Sequence, residues 1–472
     1  MNTRFFLYGF WSLIFGVTAQ LANAQSLART AYFMENSTHR HLLNPALVPS
    51  RGYFSLPVAG EFSLGFESNM QFSNIIYPTA TPGGELRTFM HKDIDANEFL
   101  SMLEPDNFLR MDLRTSILSM GFYSGTGFWT FDVAARTNMS LNLPYDLFAF
   151  AKLGMSNTEG NEYHLDNLSI SGGMFTEVSL GYSQNIMNNL RIGGKLKFLG
   201  GGAHFKASMD NMDIKMSQDE WSVTTKGQMD VYGKGLALEK DSDETINGVK
   251  MGTPGLGGMG MAVDLGLTYS PIRNLDLSIG IVDLGGIKWK KENTLSAESS
   301  GQASFTGLSG ITADSTNEDK IDDQLNDLKD DLLTMADFKE KAVAGDYFQK
   351  LFPTINAGME YSLLHNKISL GALYTTRLME DENYSEFTGS LNLRPNKWFN
   401  LSGSYSCMHG KKETFGWALG LNPGLINIFI ACDYTYLKMN PQFIPLNTLT
   451  TNFQLGISIP LARGYLPDKH SF

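Results

Sequence analysis

Residues Thr451 to Leu461 alternate almost without error. Phe453, Leu455, Ile457, Ile459 and Leu461 fall in one phase; Asn452, Gln454, Gly456 and Ser458 fall in the other. A period of two sends these sets to opposite faces of a strand. The pattern recurs along the chain. Leu275, Leu277, Ile279 and Ile281 oppose Asp276, Ser278 and Gly280, and Leu190, Ile192, Leu196 and Phe198 oppose Arg191, Lys195 and Lys197. Many such strands predict an all-β, antiparallel up-and-down transmembrane β-barrel, its apolar face in lipid and its polar face toward a lumen. Lys or Arg on the lipid face near the midplane costs about 2–4 kcal/mol, so the charged phase belongs inside. The competing architecture is a soluble β-sandwich with the apolar phase as its core, and the number of strands sharing one clean alternation weighs against it.

Bulk properties agree with a barrel. Only 18% of the 472 residues are charged and 47 are glycine, whereas ordinary soluble domains carry about 25% charged residues. Past the first residues no apolar run reaches the ~20 residues of a membrane-spanning helix. The net charge of −12 argues against a nucleic-acid partner, which wants a basic surface. Residues 1–24 read as a signal peptide: Arg4, an apolar core from Phe5 to Ala19, and Ala22-Asn23-Ala24 before Gln25. The two cysteines, Cys407 and Cys432, fall on strands expected to be second neighbours, too far apart to bridge.

Short and long connectors alternate. Tight turns are expected at Ser124–Gly127, Asn188-Asn189, Ser270–Arg273, Leu364–Asn366, Arg394–Lys397 and Asn422–Gly424. Long loops are expected at about 73–114, 206–258 and 291–352. Six turns and seven loops imply about 14 strands within residues 53–461, followed by a periplasmic tail, 462–472. Two loop segments have helical spacing: Asp95–Met102, and an acidic stretch from Asn317 to Lys341. The glycine-rich run Gly255–Gly260 reads as a bulge, a lateral gap or a flexible loop end. Candidate lumen charges are Asp132, Arg136, Arg191, Lys195, Lys197, Asp264, Asp276 and Asp433. Trp129 and Trp398 beside short turns, and Trp289 beside a long loop, are expected in interfacial girdles.

Leu43-Asn44-Pro45-Ala46-Leu47, placed between the leader and the first strand, resembles the N-terminal region of FadL/PorV-like outer-membrane barrels, in particular a Bacteroidota branch. The resemblance implies fourteen strands and an N-terminal hatch folded into the lumen, here residues 25–52 with Asn44, Pro45 and Ala46 on it. It also implies an outer-membrane location and contact with lipid. Its members carry hydrophobic compounds or serve in secretion.

No nucleophile elbow, zinc-protease helix or phosphate loop is present, so no enzyme, cofactor or metal is expected. Two functions remain open: passage or binding of small hydrophobic or amphipathic compounds, and a non-transporting partner barrel for other outer-membrane or secreted proteins.

Overall fold

In the computed structural model, residues 27–35, 37–78, 86–156, 161–217, 220–240, 246–305, 338–379, 383–408, 412–435 and 450–463 are described. The expected signal peptide, all of the expected tail but Ala462 and Arg463, which extend the last strand, and most of the acidic 317–341 stretch lie outside them. Strand β1 is in two pieces, Arg51–Ser55 and Phe62–Ser68, followed by β2 (Asp106–Ser124), β3 (Gly127–Pro144), β4 (Ser169–Met187) and β5 (Leu190–Met216). Then come β6 (Gly258–Ile272), β7 (Leu275–Trp289), β8 (Thr354–Leu363), β9 (Ile368–Arg377) and β10 (Tyr384–Asn396). The last are β11 (Phe399–Met408), β12 (Lys412–Leu421), β13 (Asn427–Thr435) and β14 (Thr451–Arg463). Each pairs antiparallel with the next. The sheet closes where β14 meets β1, through Tyr53↔Pro460 and Phe62↔Leu455.

Closure removes every free sheet edge from the wall. Alternation then sorts the side chains. Leu180, Phe198, Leu265, Ile279, Leu370 and Leu391 are exposed on the outside, whereas Ser179, Lys197, Asp264, Asn356 and Asn392 are buried inside. An exposed apolar belt around a polar interior is the arrangement that lipid solvates.

Among the one-residue irregularities of the ladders, three bear on the lumen. Leu265 pairs with Ile281 but Val263 with Leu284, so β7 bulges at Asp283, whose φ is 63°. Trp417 pairs with Cys432 but Phe415 with Thr435, so β13 bulges at Asp433-Tyr434. A third extra residue lies between Ser116 and Leu118 of β2. A bulge reverses which face the following residues present. It also corrects one expectation: Trp289 is buried, not in a lipid-facing girdle. Uninterrupted alternation puts the odd residues of β7 outside, and the bulge turns Asp283, Ile287 and Trp289 inward.

The long-loop end is more structured than the sequence indicated. Residues 206–216 continue β5 and pair with a strand, Trp221–Lys240, which pairs in turn with Thr294–Phe305. β2 begins at Asp106, well inside the expected 73–114 loop. Lys339–Lys341, assigned to the acidic helix, is instead a strand against Ser296–Glu298. The other helix forms: α1 (Ala96–Ser101) is capped by Asp95, whose carboxylate accepts the Glu98 amide at 2.8 Å. Together with α2 (Tyr145–Leu153) it buries Phe99, Phe148, Tyr163 and Ile214 in an apolar cluster. No lateral gap opens at Gly255–Gly260, since the β5–β6 ladder is continuous from Gly201↔Gly258 to Leu190↔Tyr269. Cys407 and Cys432 are free thiols, with β12 between their strands.

Candidate functional site

Residues 27–50 precede β1 and join no strand. The described ones fold back inside the barrel through two short 3-10 turns, Arg29–Phe33 and Arg40–Leu42, and nearly all of their side chains are buried. Without a ladder, their backbone groups need other partners. The barrel supplies them. Asp433 accepts the Arg29 amide at 2.7 Å and the Thr30 amide at 2.9 Å, Gln454 accepts the Ala28 amide, and Asn356 donates to the Leu43 carbonyl. Arg394 donates to the Phe33 carbonyl, and Tyr123 to that of Pro49 at 2.6 Å.

Asn44 organises the middle of the segment. Its side-chain oxygen accepts the Ala46 amide at 2.9 Å, an Asx turn that Pro45 reinforces by fixing its own φ. Its side-chain nitrogen donates to the Tyr32 hydroxyl at 3.2 Å, and that hydroxyl meets Ser278 of β7 at 3.0 Å. Asn44 and Ala46 are buried.

The wall makes room with glycine. A Cβ at Gly266 or Gly280 would strike Asn44, one at Gly193 would strike Pro45, and one at Gly358 would lie 2.6 Å from Tyr32. Gly371 faces Phe33 and Gly456 faces His39 in the same way. With these contacts and the bonds from Tyr53, Tyr123, Asp132, Glu386, Ser404 and Asp433, the segment meets β1–β3 and β5–β14. It spans the lumen from wall to wall.

Two groups of charges surround it. Asp132 bonds to Lys195 at 2.9 Å, to Ser119 at 2.5 Å and to His41 of the segment at 3.3 Å. Farther toward the long-loop end, Glu61, Arg114, Glu177, Arg136, Asp283, Lys197 and Asp264 form one continuous chain of ion pairs. Asp112 and Arg377 pair beyond it, at 3.2 Å. His39 is also buried, and burial pushes its imidazole down to about 4, against the pull of Glu61 and Asp132.

The expected lumen residues thus divide. Asp132, Lys195, Arg136, Lys197 and Asp264 lie in these ion pairs, and Asp433 binds the segment directly. Arg191 is buried beside Ser183 at 3.4 Å, with no acidic partner among the described residues. Asp276 accepts the Ser270 hydroxyl at the β6–β7 turn, apart from the network. Trp129 is half-buried against Tyr182, and Trp398 is exposed at the β10–β11 turn. Sequence reasoning passed over Arg29, Glu177, Asp283, Glu360, Glu386 and Arg394. Glu177 shares its phase with Ser179, Gly181 and Ser183, so alternation alone could have found it. Asp283 could not be found that way, because its inward turn comes from the bulge.

A family model described as "Family of unknown function (DUF5723)" matches residues 45–433, most of the chain. The chain belongs to that family. Among curated proteins none matches its sequence. Of solved structures, the P. putida toluene transporter TodX is 10% identical over 90% of this chain and 95% of its own, with a TM-score of 0.42. The Ralstonia pickettii toluene transporter TbuX is 10% identical over 93% and 95%, at 0.37. The translocator domain of autotransporter NalP from Neisseria meningitidis is 6% identical over 88% and 89%, at 0.30. The fold of this DUF5723 member rests on its own strand registers rather than on those distant likenesses.

Proposed function

We propose that this chain is a Gram-negative outer-membrane barrel that binds or passes small hydrophobic or amphipathic compounds, with residues 25–52 as its hatch. One observation carries the reading. The inner wall carries apolar side chains at two places that the segment covers: Ala28, Ala31 and Met34 pack on Ala418, Phe429 and Ala431 of β12 and β13, and Tyr32, Phe33, Leu43 and Leu47 pack on Leu373 of β9. Withdrawal of the segment leaves apolar surface inside a polar lumen, a place for an apolar body with a polar end. The hydrogen bonds that hold the segment are mostly to side chains and are exchangeable one at a time. Resemblance of the Asn44-Pro45-Ala46 region to FadL/PorV-like barrels supports the same reading.

The second reading, a partner barrel for secretion or surface proteins, is favoured by the sheet Trp221–Lys240 with Thr294–Phe305 raised beyond the belt. Uptake of a small apolar fluorophore by cells with and without the protein separates the two. Transport predicts slower uptake in the deletion strain. Unchanged uptake, with a second protein retained on mild-detergent purification, supports the partner reading instead.

A further inference from the structure

We propose that the pocket around Arg29 is a binding site for organic cations of the guanidinium or ammonium type, and that such a cation releases residues 27–50 by replacing Arg29. The inference rests on the reading of that segment as a hatch.

The pocket is built by the barrel. Arg29 Nε lies 3.1 Å from Glu386 Oε2, and its terminal nitrogen lies 3.8 Å from Asp433. The rings of Tyr384 and Tyr434 flank the guanidinium, 5.4 and 5.6 Å from its carbon. Tyr434 is there because the β13 bulge turns it inward together with Asp433. Bulges are a common device for aiming side chains at a site. Glu386 is held independently of Arg29, since Tyr384 and Tyr434 each donate to it at 2.7 Å and Thr388 at 3.0 Å. Asp433 is held by Asn452 at 2.9 Å as well as by the segment's amides. When the segment leaves, three barrel hydroxyls still hold Glu386 and Asn452 still holds Asp433.

Charge makes an occupant necessary. Among the described residues, Arg29 is the only basic side chain in ion-pair contact with Glu386 or Asp433. All three are almost fully buried. Withdrawing the Arg29 side chain while the rest of the segment stays docked leaves two buried carboxylates with no other cation in contact among the described residues, a heavily penalised state. A replacement cation removes the penalty. Two aromatic rings within cation–π distance select an organic cation, because guanidinium and ammonium groups bind to π-faces. A hard divalent ion instead gains nothing from a π-face, and among the described residues no group of three or more acidic, histidine or cysteine side chains stands ready for one. An amphipathic amine or guanidine thus matches both the pocket and the apolar side chains of β12 and β13 that the segment covers.

Titration calorimetry of the full chain in detergent tests the site. Arg29→Ala should bind ethylguanidinium, the fragment it lacks, saturably and at least tenfold more tightly than Arg29→Ala/Glu386→Gln. A flat titration, equal binding by the double variant, or binding of calcium chloride in place of ethylguanidinium overturns the proposal. The unaltered chain gives a second readout, independent of how the variants fold. Ethylguanidinium should raise amide exchange at residues 28–34 several-fold over sodium chloride at equal ionic strength, and no rise overturns the release step. Failure of the hatch reading shows elsewhere: removal of residues 27–50 would leave liposome permeability unchanged while ethylguanidinium still bound Arg29→Ala.

Discussion

Asp283 decides which way Trp289 points. The extra residue that places Asp283 at a φ of 63° reverses the phase of β7, so the indole six positions later packs inside against Tyr232 and His204. The same bulge brings the Asp283 carboxylate to Arg136 at 3.0 Å and Lys197 at 2.6 Å. Deletion of Asp283 should restore plain alternation and move Trp289 outside. Quenching of tryptophan fluorescence by brominated lipid should then increase, and unchanged quenching would count against the parity argument.

Asp283→Asn keeps the bulge but removes a charge from a buried network. Arg136 and Lys197 lose their shared partner, which should destabilise the barrel by ~3 kcal/mol. Urea unfolding in lipid measures it. A change below about 1 kcal/mol would mean that water already screens these charges.

Gly266 and Gly280 lie where any Cβ would strike Asn44. Gly266→Leu should therefore expel the middle of the segment while the lipid-facing wall stays intact. Protease cleavage between residues 40 and 50 should become fast. Gly389, with no atom closer than 3.9 Å to its would-be Cβ, provides the control, and Gly389→Ala should leave cleavage unchanged.

The wall was largely legible because one period runs through long stretches of the spanning strands, with apolar residues toward lipid and polar ones toward the lumen. Phe453 through Leu461 and Leu275 through Ile281 state their faces outright. The irregularities were not legible. Nothing in Val282-Asp283-Leu284 or Cys432-Asp433-Tyr434 announces an extra residue, because a bulge is defined by the partner strand and not by its own sequence. Asp433 precedes the reversal in its strand and keeps the inward phase of Phe429 and Ala431, whereas Trp289 follows the reversal in its own. The inner segment was recognisable only through Asn44-Pro45-Ala46, and its apolar and basic side chains, Arg29 above all, gain meaning only against the wall.

His39 makes docking of the segment pH-dependent. Well above pH 6.5 the imidazole is neutral whether the segment is docked or free, so His39 adds no pH dependence there. Between 6.5 and about 4 the free segment takes a proton that the docked one refuses, so docking weakens as pH falls. Glu61 and Asp132 oppose this loss, and His41 and Arg114 add to it. The full effect is on the order of 3 kcal/mol. Amide exchange of residues 37–43, corrected for its intrinsic pH dependence, should quicken from pH 7 to pH 5 in the native chain and far less in His39→Gln.

Asn44→Ala removes the Asx turn and the bond to Tyr32 together. The buried Tyr32 hydroxyl keeps Ser278, so a local loss of about 1–2 kcal/mol is expected rather than collapse. Faster exchange at residues 43–47 with an unchanged global unfolding midpoint would agree, and a falling midpoint would not.

The central claim is that residues 27–50 close the lumen. Liposome swelling in a small neutral sugar tests it most directly, comparing the intact chain with one lacking only those residues. The intact chain should be nearly impermeable, and the shortened one should admit the sugar at a rate proportional to the protein incorporated. Equal permeability of the two, high or low, would contradict it.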